Sequence, residues 1–125
     1  MKSSTRLKAF LMAATLTAGL GSSAQAHHSG AMFDRSREVV LTGTVKDWQW
    51  SNPHTWLVLM TKSDQGAQVE WNLEGQSPGV FRGKGWSRTM MSVGDKVTVH
   101  ISPMKDGTNG GSIVSVTTAS GQRYD

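Results

Sequence analysis

The chain of 125 residues contains no cysteine. That excludes thiol nucleophiles, iron–sulfur clusters, cysteine-ligated zinc and any disulfide scaffold. No repeat or low-complexity tract is visible, and one short apolar run near the N-terminus is not followed by a second. The glycine-flanked "GKGW" lacks the strand–loop–helix setting of a phosphate loop. "SVGD" and "TASGQ" lack the setting of a nucleophile elbow, and no Ser-His-Asp spacing stands out. These absences point away from an enzyme, and no catalytic residue is assigned.

What is present begins with an address. Lys2, Arg6 and Lys8 precede an apolar stretch from Ala9 to Leu20, and Ser22, Ser23, Ala24, Gln25 and Ala26 supply small residues before a cleavage point. This order is that of a secretory signal peptide, and the run is too short for a permanent membrane span. Residues 1–26 are therefore expected to be removed after Ala26. The remaining 99 residues would start His27-His28 and work in the periplasm or beyond the cell, with no transmembrane segment. Removing three of the 13 Lys+Arg leaves ten against nine Asp+Glu, a net charge of +1. Nucleic-acid binding needs a dense basic footprint, so no nucleic-acid partner is expected.

The mature chain reads as strands. Residues 27–38 are a polar, irregular lead with Met32 and Phe33 as its apolar anchors, and residues 39–125 form a single domain. "EVVLTGTVKDWQW" alternates, with Val39, Leu41, Gly43 and Val45 on one face and Thr42, Thr44, Lys46, Trp48 and Trp50 on the other. Gly43 is the expected site of a bend or bulge. "HTWLVLM" is apolar on both faces and reads as a central strand. "AQVEWNLE" turns Val69, Trp71 and Leu73 inward and Glu70, Asn72 and Glu74 outward. Ser77-Pro78 starts a short helix that Gly83 and Gly85 end. "DKVTVHISP" and "SIVSVTTA" are two further strands around the turn "KDGTNGG". Both a small β-sandwich and an OB-like five-stranded barrel are compatible with this order. A short helix between strands three and four favours the all-β, OB-like barrel.

"HHS", "MFD", "LTGTVKDWQWSNPHTWL", "WNLEG" and "VGDKVTV…SPMKDG" together resemble a group of small exported bacterial proteins catalogued as a domain of unknown function. The resemblance spans the mature chain and centres on the HHS start and the W-x-N-P-H-x-W segment. It implies export and a compact β-rich domain, and it carries no activity, ligand or catalytic residue.

Function must then come from the residues. An N-terminal His27 would offer its α-amine and ring nitrogen to one ion, and His28 adds an imidazole. Nitrogen-rich donors of this kind suit Cu(II) or a similar divalent metal. His54, in the "SNPH" turn, is the candidate third ligand, with Met32 or Met104 as soft axial donors. The same histidines equally suit plain solvated roles, and His100, between Val99 and Ile101, is expected to face solvent. Trp48, Trp50, Asn52 and Trp56 surround the turn as a candidate platform for a small ligand or an envelope protein; the plainer reading is that Trp56 lies on a core face and that the bent first strand wraps the barrel and buries Trp48 and Trp50. Glu70 and Glu74 would lie about 13 Å apart along a strand at about 3.3 Å per residue. Glycosidase carboxylates sit about 5–5.5 or 6.5–9.5 Å apart, so the pair reads as a solvated face. The sequence thus describes a small exported binding module, with copper as the sharpest candidate ligand and a metal-free accessory module as the alternative.

Overall fold

The computed structural model describes residues 30–125. The expected signal segment 1–26 and the histidine pair at 27 and 28 lie outside the described residues.

Alternation of β-branched and aromatic residues with polar ones builds the strands. In chain order they are β1 (Val39–Gln49), β2 (Trp56–Lys62), β3 (Gln68–Glu74), β4 (Lys96–Pro103), β5 (Gly110–Thr117) and the two-residue β6 (Arg123–Tyr124). One helix, α1 (Pro78–Gly83), stands between β3 and β4. β1 is long enough to serve two neighbours: Val39–Thr44 pair with β4, and Thr44–Gln49 pair with β2. The sheet runs β3-β2-β1-β4-β5, and parallel pairing of Asn72–Glu74 with Gly110–Ser112 joins β3 to β5. The five strands therefore close into the OB-like barrel expected from the sequence, with its short helix in the expected place.

The bend in β1 differs in detail from expectation. Gly43 marks a close approach, since a Cβ there would stand 2.4 Å from the Met60 carbonyl oxygen. The register break comes two residues later: Val45 faces Leu59 but Asp47 faces Val58, so Lys46 is the extra residue of a bulge. A one-residue insertion inverts the face of everything after it. Trp48 and Trp50, read as lying opposite Val45, are instead packed partly buried against the core.

The interior is lined by Leu41, Val45, Leu57, Leu59, Leu73, Val97, Val99 and Ile101. α1 closes one end. Ser77 caps it, accepting a hydrogen bond from the Val80 amide at 3.4 Å, and Pro78 occupies its first turn. The helix presents Phe81, which stacks on Trp86 with centroids 3.9 Å apart. Trp48 and Tyr124 pack around the same indole. Gly75, just past β3, makes room for this plug, because a Cβ there would stand 2.2 Å from Thr55 Oγ1 and 2.6 Å from Phe81.

The lead is part of the folded body. Gly30–Met32 form a single 3₁₀ turn, and Phe33 is buried. Phe33 bridges to Met104, the Asp34 amide donates to the Pro103 carbonyl at 2.8 Å, and the Lys105 amide donates to the Met32 carbonyl at 3.0 Å. Two aspartates shape this region as acceptors. Asp34 takes the Ser36 hydroxyl and amide, while Asp106 takes the Thr108 amide and hydroxyl.

Three measurements test this account. Gly75→Ala must displace Thr55 or Phe81, and overpacking of this kind costs about 1–3 kcal/mol; chemical denaturation should show that loss. Ser115 is fully buried with a hydroxyl that has no hydrogen-bond partner. Removing an unsatisfied polar atom relieves its desolvation cost, so Ser115→Ala should be neutral or stabilise by up to about 1 kcal/mol. A larger loss would reveal a partner for that hydroxyl. Hydrogen bonds from the Ser36 side chain hold the Asp34 carboxyl below its usual range, and those from the Thr108 amide and hydroxyl do the same for Asp106. Their native pKa values are depressed, so their contribution is present at higher pH and is lost as pH falls through the native values. The Ser36 and Thr108 amide resonances should titrate with midpoints below the ordinary aspartate value of about 3.9.

Candidate functional site

The candidate residues of the "SNPH" turn separate into two groups. Asn52 is exposed in the loop between β1 and β2. Trp48 and Trp50 meet edge to face at 5.8 Å, and the Trp48 ring N–H donates to the Ser87 carbonyl at 3.3 Å. Much of their surface is therefore spent on the barrel and on the segment after α1, and the outward aromatic surface is smaller than a regular strand would have left. His54 and Trp56 turn the other way, toward the end of β3.

There Trp56 stands directly across from Glu74, and Val58 from Asn72. Glu74 is the informative residue. Alternation put it on a solvated face, yet it is only 6% exposed. The outward face is indeed where it points, but at this end of the barrel that face is covered by the lead and the turn between β4 and β5. Glu70, four residues earlier on the same face, is exposed and paired with Lys46. The two carboxylates thus have different surroundings and no shared site.

His54 is half-buried, and its Nδ1 lies 3.1 Å from the Gly75 carbonyl oxygen and 3.2 Å from Glu74 Oε1. Both neighbours are acceptors, so hydrogen-bond logic assigns the proton of a neutral ring to Nδ1. Nε2 then carries the lone pair. A carboxylate and a carbonyl holding one ring nitrogen while the other remains available is the usual arrangement behind a metal-ligating histidine. Among the described residues no three His, Cys, Asp or Glu side chains converge as a metal cluster, so His54 would need donors from elsewhere. His100 sits on β4 and pairs with Glu38, Nδ1 to Oε1 at 2.5 Å. It is half-buried, where plain solvent exposure was expected. His27 and His28 lie outside the described residues.

Beside Glu74 opens a groove of about 310 Å³. Met32 and Phe33 of the lead, Trp56, Asn72, Glu74 and Met104 form its walls, and Thr108, Asn109, Gly110 and Gly111 complete it. Among the described residues no lysine, arginine or histidine lines it. A larger groove of about 640 Å³ lies along β1 and β2 near Thr42, Thr44, Met60, Lys62 and Lys96. That one is basic and has no convergent acid or imidazole. Sequence reading missed Glu74 as a buried group. The one signal that could have marked it is its place beside Gly75 at the end of a strand opposite a tryptophan.

Among the described residues no helix is long and apolar enough to cross a membrane. Among solved structures, the mitochondrial single-stranded DNA binding protein Rim1 of S. cerevisiae is similar in shape with a TM-score of 0.49 and 10% identity. The match covers 66% of this chain and 93% of that one. No curated protein matches the chain. Residues 15–114, most of the chain, match the family of unknown function DUF6152. The chain belongs to that family, a small β-barrel whose activity is uncharacterised.

Proposed function

We propose that this protein is an exported, non-catalytic binding module that takes a divalent metal of the Cu(II) class at His54, together with His27 and His28 of the mature N-terminus. The observation that supports the reading is the grip of Glu74 and Gly75 on His54 Nδ1. That grip orients the ring and leaves Nε2 as the donor. A carboxylate behind the imidazole also offsets part of the charge a divalent ion brings.

Chain geometry sets the reach of the second half of the donor set. Met32 lines the same groove as Glu74, and His28 precedes Met32 by four residues. Gly30–Met32 are fixed in the 3₁₀ turn, so His28 stands two residues from the folded lead, a reach of about 7 Å when extended. An α-amine with a pKa of about 7.7–8.0 gives up its proton near neutrality at small cost. In this reading cleavage after Ala26 completes the site, and the periplasm or the extracellular space is where the protein acts. The near-neutral charge of the mature chain argues for a small cation over a nucleic acid as the partner.

Exported protein should begin at His27 by mass spectrometry. Titration with Cu(II) should then give one tight equivalent whose electron paramagnetic resonance spectrum reports nitrogen donors. His54→Ala and a one-residue N-terminal extension should each weaken binding. Glu74→Gln, which keeps the shape but removes the charge behind the ring, should cost about 10–100-fold. Affinity no better than that of a short His-His peptide, unmoved by His54→Ala, would sink the reading.

A further inference from the structure

The groove beside Glu74 has a composition that the histidine site does not use. We propose that it is a separate site for a soft monovalent cation, Cu(I) or its redox-stable analogue Ag(I), with the thioethers of Met32 and Met104 as ligands. The proposal gives Met32 and Met104, named above as axial candidates for the histidines, an ion of their own, and it shares Glu74 with the reading of His54.

Three observations converge. The first is placement. Met32 comes from the lead and Met104 from the end of β4, and the backbone holds them side by side: Phe33 bridges to Met104, and the Lys105 amide donates to the Met32 carbonyl. Both side chains are half-buried and line the groove, unlike Met91, which is core. Gly110 leaves space for Met104. A Cβ at that position would stand 3.1 Å from Met104 Cγ and 3.9 Å from its sulfur.

The second is charge. Among the described residues the lining has one ionisable side chain, Glu74, which is 6% exposed. The His54 ring contacts the same carboxylate, and Lys105 and Asp106 are exposed in the following turn; none of the three is among the lining residues. An acid in an apolar cleft favours a cation, and one negative charge is neutralised by one positive charge.

The third is softness. Calcium and magnesium need a full shell of oxygen ligands, and zinc takes imidazole or thiolate. Beside its one carboxylate the groove has only the neutral side-chain oxygens of Asn72, Thr108 and Asn109, a weak set for such ions, and among the described residues no imidazole or thiolate lines it. Thioethers select Cu(I) among biological ions. The indole of Trp56 offers a π surface on the same wall, which attracts a cation with little hydration. Methionine has enough rotatable bonds to draw both sulfurs onto one ion inside a groove of this size.

The test is an Ag(I) titration of the purified protein followed through methionine methyl resonances. Met32 and Met104 should shift together and saturate at one equivalent, while Met60, Met90 and Met91 stay in place. Met32→Leu and Met104→Leu conserve volume, so both should fold as wild type by circular dichroism. Each should weaken Ag(I) by about tenfold or more, and the double variant should abolish binding. Met60→Leu should change nothing. His54→Ala separates the two readings: the Ag(I) shifts of the Met32 and Met104 methyls should persist in that variant, and their loss there would make the methionines donors of the histidine site and overturn the separate one. Unshifted Met32 and Met104 methyls, or full Ag(I) affinity in the double variant, would overturn the proposal. So would tetramethylammonium filling the groove where Ag(I) does not, because the site would then be one for organic cations.

Discussion

The seam between β3 and β5 is the constraint on which the rest depends. Only three residue pairs, Asn72 with Gly110, Leu73 with Gly111 and Glu74 with Ser112, turn an open sheet into a barrel. Two of the six residues are glycines for a steric reason. A Cβ on Gly111 would stand 2.7 Å from both Ile101 Cδ1 and the Ser102 carbonyl oxygen, and one on Gly110 would crowd Asn72 and Met104. Without that closeness β5 could not reach β3, the inward residues Leu73 and Ile113 would lose their cover, and both strands would keep open edges. Closure also drags the last residue of β3 into the seam. Glu74 is buried because the barrel shuts around it.

The lead then acts on what closure has made. It contributes a few backbone hydrogen bonds to the end of β4 and one buried ring, Phe33. Those contacts roof the outward face of Trp56, Asn72 and Glu74. A face that would be wet in an isolated hairpin becomes a cleft with a low-dielectric wall, where a carboxylate is worth more to a cation than it would be in water. The lead is therefore both the anchor of the N-terminal segment and a wall of the groove.

How much of this was legible follows from which forces are local. Strand order, the capped helix at Ser77-Pro78 and the inward set Val69, Trp71 and Leu73 all came from alternation and turn chemistry. Those depend on neighbours in sequence, and the OB-like barrel followed from their order. The bulge at Lys46 did not, because nothing local distinguishes it from a regular strand position. It arises where β1 leaves β4 for β2, and it alone turns Trp48 and Trp50 toward the core. Glu74 was misread for a related reason. Alternation reports which face a residue points to, and says nothing of what covers that face. His54 and Trp56 were picked out by their turn, but the acid that organises them and the methionines beside them meet only through strand pairing and the docked lead.

Glu74 is shared by both cation sites proposed for this end of the barrel, and the sharing has a direction. One of its oxygens faces the His54 ring N–H while the side chain lines the methionine groove. Behind His54 it acts at second hand, by setting which nitrogen is free. In the groove it acts directly, as the only fixed negative charge. An ion in the groove would draw on the same carboxylate that polarises the imidazole and would place a second positive charge near the first. Repulsion between two such cations would offset part of what each gains from the shared carboxylate, so each would weaken the other. The two sites would therefore be coupled through one buried acid, with imidazole as donor for one ion and thioethers for the other.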